Sequence, residues 1–150
     1  MPKSVPFALC AQAKIMRVVV DTNVIVSAYL GGALEGIIVA WRSGKFTLVV
    51  SREIAEENLE VLRRPKFKIE KAEVDDFAAL LLDRADFVIP MESLDVISDD
   101  PSDNKFLEAA VTGNASLVVS GDNHMLNLGS FRNISIIKPR KFVDMLRSEE

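Results

Sequence analysis

Apolar residues along this chain follow two rhythms. Short unbroken runs rich in valine and isoleucine alternate with longer stretches in which apolar positions recur every three or four residues. The first pattern reads as buried strands and the second as amphipathic helices. In chain order the pattern predicts strands over residues 15–20, 46–50, 87–89, 117–119 and 134–137. It predicts helices over 23–30, 34–42, 52–64, 70–86, 101–112 and 139–147, with a helical turn over 122–128. Breakers support these limits. Gly31-Gly32 and Ser43-Gly44 end helices, Ser51 is suited to cap one, Pro65 stops one, and Pro139 opens the last. The helix over 70–86 is expected to bury Val74, Phe77, Ala78, Leu81 and Leu82. Strands alternating with helices imply parallel pairing through right-handed crossovers, hence a layered α/β fold with a mainly parallel sheet.

The first 15 residues differ from this scheme. They hold a basic residue, a short apolar run and Ala11-Gln12-Ala13, which resembles a signal-peptidase site. The apolar part is short and contains Pro6, which disfavours a secretory signal. The preferred reading is a poorly ordered extension or an upstream start ahead of Met16, followed by one domain over 16–150. The 150 residues suffice for one domain with a sizeable core. No apolar run is long enough to span a bilayer, and a cytoplasmic protein is expected.

Composition narrows the chemistry. A single cysteine, Cys10, rules out an internal disulfide, and a single histidine, His124, argues against zinc sites built from several histidines. A metal here would need oxygen ligands, which points to Mg²⁺ or Mn²⁺. No Walker-type loop and no GxGxxG occurs, which disfavours nucleotide binding. The net charge of −4 counts mildly against a polyanionic substrate unless bound cations offset it.

Three aspartates stand where strands end or helices begin. Asp21 directly follows Val18-Val19-Val20, Asp122 follows 117–119 through Ser120-Gly121, and Asp103 lies in the first turn of the helix over 101–112. In open parallel sheets that edge is where ligands bind. Each acid also has a plain explanation. Asp21 or Asn23 caps a helix, Asp100 caps the next with Pro101 at its first position, Asp103 complements the helix dipole, and Asp122 caps the turn after it. Within the helix over 52–64, Glu57 borders the arc of Ile54, Ala55, Asn58, Leu59, Val61 and Leu62, with Glu56 the second choice. The plain alternative there is a solvated acidic face. If the four carboxylates converge, a divalent cation is needed to offset their repulsion.

At these residues the chain resembles the PIN domain, a nuclease family named after a pilus-protein N-terminus. The pieces are VVVDTNVIVSA, SREIAEENLEVLRRPKF, DDPSDNKFLEAA and LVVSGD, in order over roughly residues 16–145. The last pair, with IIKPRKFVDML, is similar to the branch of toxin components of bacterial and archaeal toxin–antitoxin pairs. The resemblance implies a flavodoxin-like three-layer α/β/α sandwich and Mg²⁺- or Mn²⁺-dependent hydrolysis of RNA phosphodiesters, held in check by a small antitoxin protein. It places the catalytic, metal-holding acids on Asp21, Glu57, Asp103 and Asp122, with Asn23 and Ser120 in support.

Two alternatives compete. One is a non-catalytic PIN-like module that binds RNA or protein. The other is a phosphatase with Asp21 as nucleophile, which is weaker because Asn23 stands where a second aspartate is wanted. For RNA, the basic run Arg63-Arg64-Pro65-Lys66-Phe67-Lys68, with Lys105 and Arg17, is expected to form a phosphate-contacting rim. A solvated basic turn is the plain alternative. A homodimer is also among the expectations.

Overall fold

The computed structural model describes residues 15–148. The extension expected over 1–15 lies outside them except for Ile15, as do residues 149 and 150.

Strand β1 (Met16–Val20) runs through the middle of a six-stranded sheet. It pairs in parallel with β2 (Phe46–Val50) on one side and β4 (Leu117–Val119) on the other. Beyond β2 lies β3 (Ala85–Phe87), and beyond β4 lies β6 (Ile134–Ile137), both parallel. The antiparallel edge strand β5 (Ser130–Phe131) completes the order β3-β2-β1-β4-β6-β5. Central strands covered on both faces must be apolar throughout. Val18, Val19, Val49, Val118 and Val119 are accordingly almost fully buried.

Helices α1 (Thr22–Tyr29) and α2 (Glu35–Arg42) link β1 to β2, and α3 (Arg52–Leu62) and α4 (Lys71–Arg84) link β2 to β3. These four pack on one another. The chain then reverses direction across the sheet. With right-handed crossovers, the reversal puts α5 (Asn104–Thr112) on the opposite face. There it packs against β1, β2 and β4. Helices α6 (Asn123–Leu128) and α7 (Pro139–Ser148) follow β4 and β6. The result is the α/β/α sandwich implied by the resemblance.

Aromatic rings fill the helix-to-sheet gaps. Phe77 of α4 meets Tyr29 and Trp41 edge-on, with centroids 5.8 and 5.7 Å away, and the Trp41 indole donates to the Arg84 carbonyl at 3.2 Å. Phe142 of α7 meets Phe46 at 5.1 Å. Gly113 ends α5 where the helix crosses β2. A Cβ there would lie 2.5 Å from Val49 Cγ1, so only glycine permits this approach.

Four expectations need correction. The third strand lies at 85–87, not 87–89, because Ala85 is already extended and pairs with Leu48. Leu82, expected in the buried face of α4, is 85% exposed; Leu80 takes its place beside Val74, Phe77 and Leu81. The helix expected from residue 101 begins as a 3₁₀ turn (Pro101–Asp103) before α5, and Asp100 makes no side-chain cap to it. Strand β5 was not expected. It arises from a tight hairpin whose two turn residues, Arg132 and Asn133, both adopt positive φ, the geometry that hairpin twist favours.

Candidate metal centre

The sheet order reverses between β1 and β4, and the crevice at their carboxyl ends gathers the acids. Asp21 leaves β1 with its amide bonded to the Val119 carbonyl at 2.9 Å, so the ends of the two strands are joined there. Its side chain is 5% exposed. Oδ1 accepts the Asn23 amide at 3.3 Å, capping α1, and Oδ2 accepts the Ser120 hydroxyl at 2.7 Å. Ser120, fully buried, also accepts the Asp122 amide at 3.0 Å. Asp122 Oδ1 in turn accepts the His124 amide at 2.8 Å and caps α6. Asp21 and Asp122 are therefore helix caps and crevice acids at once. The two readings were never exclusive.

Asp103 reaches the same crevice from the 3₁₀ turn. Carboxylate oxygens of Asp100, Asp103 and Asp122 lie within 4.8 Å of one another. The sequence pattern offers Asp100 only as a cap. Its Oδ1 accepts the Ser102 hydroxyl at 2.7 Å instead, and the turn directs it into the cluster. The paired acids Asp99-Asp100 ahead of proline were the signal that could have found it.

The electrostatics report uncompensated negative charge. Burial raises the Asp21 carboxyl above its ordinary range. The Ser120 and Asn23 hydrogen bonds pull it down, and the charges of Asp122 and Glu57 push it up. Asp103 is pushed up to about 7, first by burial, then by its hydrogen bond with Asp122 and the charges of Asp21, Asp100 and Asp122. No ion pair reaches Asp21, Asp100, Asp103 or Asp122 among the described residues. Clustered hard oxygen donors without a cationic partner suit Mg²⁺ or Mn²⁺.

Glu57 comes from α3 and is partly buried. One oxygen takes the Thr22 hydroxyl, which Asn58 Nδ2 holds at 2.8 Å, and the other pairs with Lys105 at 2.8 Å. Lys105 thus departs from its expected place on a solvent rim. At the second position of α5 it faces α3, where its ammonium is enclosed. Arg17 is also placed elsewhere. Near the amino end of β1, it bonds the Gly113 carbonyl and Asp86. Arg63, Arg64 and Lys66 are exposed after α3, Arg64 paired with Glu60 and Lys66 lying over Phe67. Asn23 is exposed and touches the site through its backbone amide.

Asn104 was missed altogether. Buried, it accepts the amides of Val96 and Ile97 at 3.0 and 2.9 Å, fixing the segment that leads into Asp100. Its place directly after Asp103, in a chain turning from loop to helix, was the available signal.

The family model described as PIN domain matches residues 17–124. No curated protein matches the sequence.

Proposed function

Since the chain belongs to the PIN domain family, we propose that it is a divalent-metal-dependent ribonuclease that hydrolyses RNA phosphodiester bonds in the crevice between β1 and β4. The fold is that of a family whose members are generally nucleases. The observation that carries the reading is the convergence of Asp100, Asp103 and Asp122 without a cationic partner among the described residues.

The donor set fits Mg²⁺ or Mn²⁺. Asp100, Asp103 and Asp122 would hold the ion, with Asp21 beside them. When bound, such an ion stabilises charge on phosphate oxygens and lowers the pKa of water. The remaining work belongs to the chain. Ser120 fixes the rotamer of Asp21 and, through the Asp122 amide, the spacing of the two strand-end acids. Asn104 fixes the loop that carries Asp100. Arg63, Lys66 and Lys68, exposed on the turn after α3, supply cations for the RNA backbone, which the acidic crevice itself would repel.

The same reading carries a toxin role, with a small antitoxin protein as partner, on the strength of DDPSDNKFLEAA and IIKPRKFVDML. The test is incubation of the purified chain with mixed-sequence single-stranded RNA in Mg²⁺, Mn²⁺ or EDTA. Cleavage confined to the metal-containing reactions is expected. RNA binding without cleavage in any of them would favour the non-catalytic module.

A further inference from the structure

Lysine side chains are seldom fully buried unless paired, yet Lys105 is 6% exposed. Its ammonium is enclosed on three sides. It lies 2.8 Å from Glu57 Oε1, donates to the Ser102 carbonyl at 2.6 Å, and sits 4.9 Å from the centre of the Phe106 ring. An ammonium has three donors and no acceptor, so this cage is specific for a cation. Glu57 is equally committed. Its second oxygen accepts the Thr22 hydroxyl, whose own lone pair is filled by Asn58.

The carboxylates at the crevice therefore fall into two groups. Glu57 already has a full positive charge within contact distance. Asp100, Asp103 and Asp122 have none among the described residues, and their oxygens are close enough to share one ion. A second divalent ion drawing on Glu57 would have to sit beside the ammonium, like charge against like charge.

We infer that Lys105 is the built-in cation of this site: its ammonium neutralises Glu57 and leaves the aspartates to hold a single divalent ion. Lys105 is a positioning residue in this scheme, and Glu57 is its partner rather than a ligand of the metal. The inference rests on the metal-site reading above but is narrower than it.

Mn²⁺ itself is the probe, titrated into the full chain and followed by the paramagnetic resonance signal of the free ion and by calorimetry. One Mn²⁺ per chain is expected. Glu57→Gln combined with Lys105→Met, which removes both charges of the pair together, should bind one ion with Kd within about twofold of the parent, whereas Asp103→Asn should weaken it by about tenfold or more. Lys105→Met, which frees Glu57, should take up a second ion. Two ions in the parent, or about a tenfold loss in the double variant Glu57→Gln with Lys105→Met, overturns the inference and leaves the metal site standing. A folded Lys105→Met that still binds one ion also overturns it. No ion bound by the parent overturns the metal site and the inference together. Should Lys105→Met alone fail to fold, the double variant decides in its place, because it leaves neither charge of the pair uncompensated.

Discussion

Ser120 donates its hydroxyl to Asp21 at 2.7 Å across 99 residues of sequence, and in doing so ties the end of β4 to the end of β1. The same oxygen accepts the Asp122 amide. One buried hydroxyl thus sets two acids of the crevice relative to each other. Ser120→Ala would leave the buried Asp21 carboxylate short of a donor. A loss of about 1–3 kcal/mol in unfolding free energy is expected, the usual cost of an orphaned buried polar group. Urea denaturation near neutral pH measures it, and an unchanged midpoint would show that the bond carries no weight.

Stability without metal should depend on pH in an unusual direction. Asp103 has a folded-state pKa of about 7 against an ordinary value of 3.8, and Asp21 is raised as well. A carboxyl raised by folding binds its proton more tightly in the folded state. Its contribution is fully present below pH 3.8 and is lost as pH rises through about 7. The metal-free protein should therefore melt higher at pH 5 than at pH 8, whereas most acid-paired proteins lose stability on acidification. Added Mg²⁺ should raise the pH 8 melting temperature most, since protons and metal compete for the same oxygens. Thermal melts at the two pH values, with Mg²⁺ and with EDTA, read both effects. A metal-free protein that melts lower at pH 5 would contradict the proposed crowding of charge.

Gly113→Ala tests the packing that brings α5 to the sheet. The added methyl would lie 2.5 Å from Val49 Cγ1 and 3.0 Å from the Ala109 carbonyl. Overpacking of this kind costs about 1–3 kcal/mol. Chemical denaturation should show that loss. A variant as stable as the parent would mean that α5 can shift from the sheet at little cost.

Much of this arrangement was legible in the sequence because strands and helices announce their ends. Asp21 and Asp122 follow valine-rich runs, and Glu57 borders a helical arc, so strand direction and helix periodicity carry them toward the crevice. What periodicity lacks is knowledge of the neighbour opposite. Lys105 counts as an exposed basic residue until α3 is set against α5 and Glu57 meets its ammonium. Asp100 and Asn104 were obscured by a 3₁₀ turn, which rotates side chains differently from the α-helix read through Pro101. Strand β5 is two residues long and owes its existence to pairing with β6, which no local pattern records.

The basic turn after α3 makes a separate prediction. Arg63 and Lys66 are exposed, and neither has an ion pair among the described residues. Arg63→Glu combined with Lys66→Glu should weaken RNA binding for all sequences alike and leave Mn²⁺ binding unchanged. The salt dependence should flatten as well, since each phosphate contact adds about 0.7 to the logarithmic slope for single strands. Filter binding across a salt series measures both. Identical slopes for parent and variant would mean that the RNA runs elsewhere.

Cleavage by Asp21→Asn is the decisive measurement. The substitution keeps the shape of the side chain and an oxygen to accept from Asn23 or Ser120, but removes charge from the crevice. The variant should melt at or above the parent's temperature without metal, because repulsion with Asp122 and Glu57 falls. Its Mg²⁺-dependent cleavage of single-stranded RNA should be lost, with RNA binding retained. Cleavage at the parent's rate by a clean, folded Asp21→Asn preparation would contradict a hydrolytic site between β1 and β4.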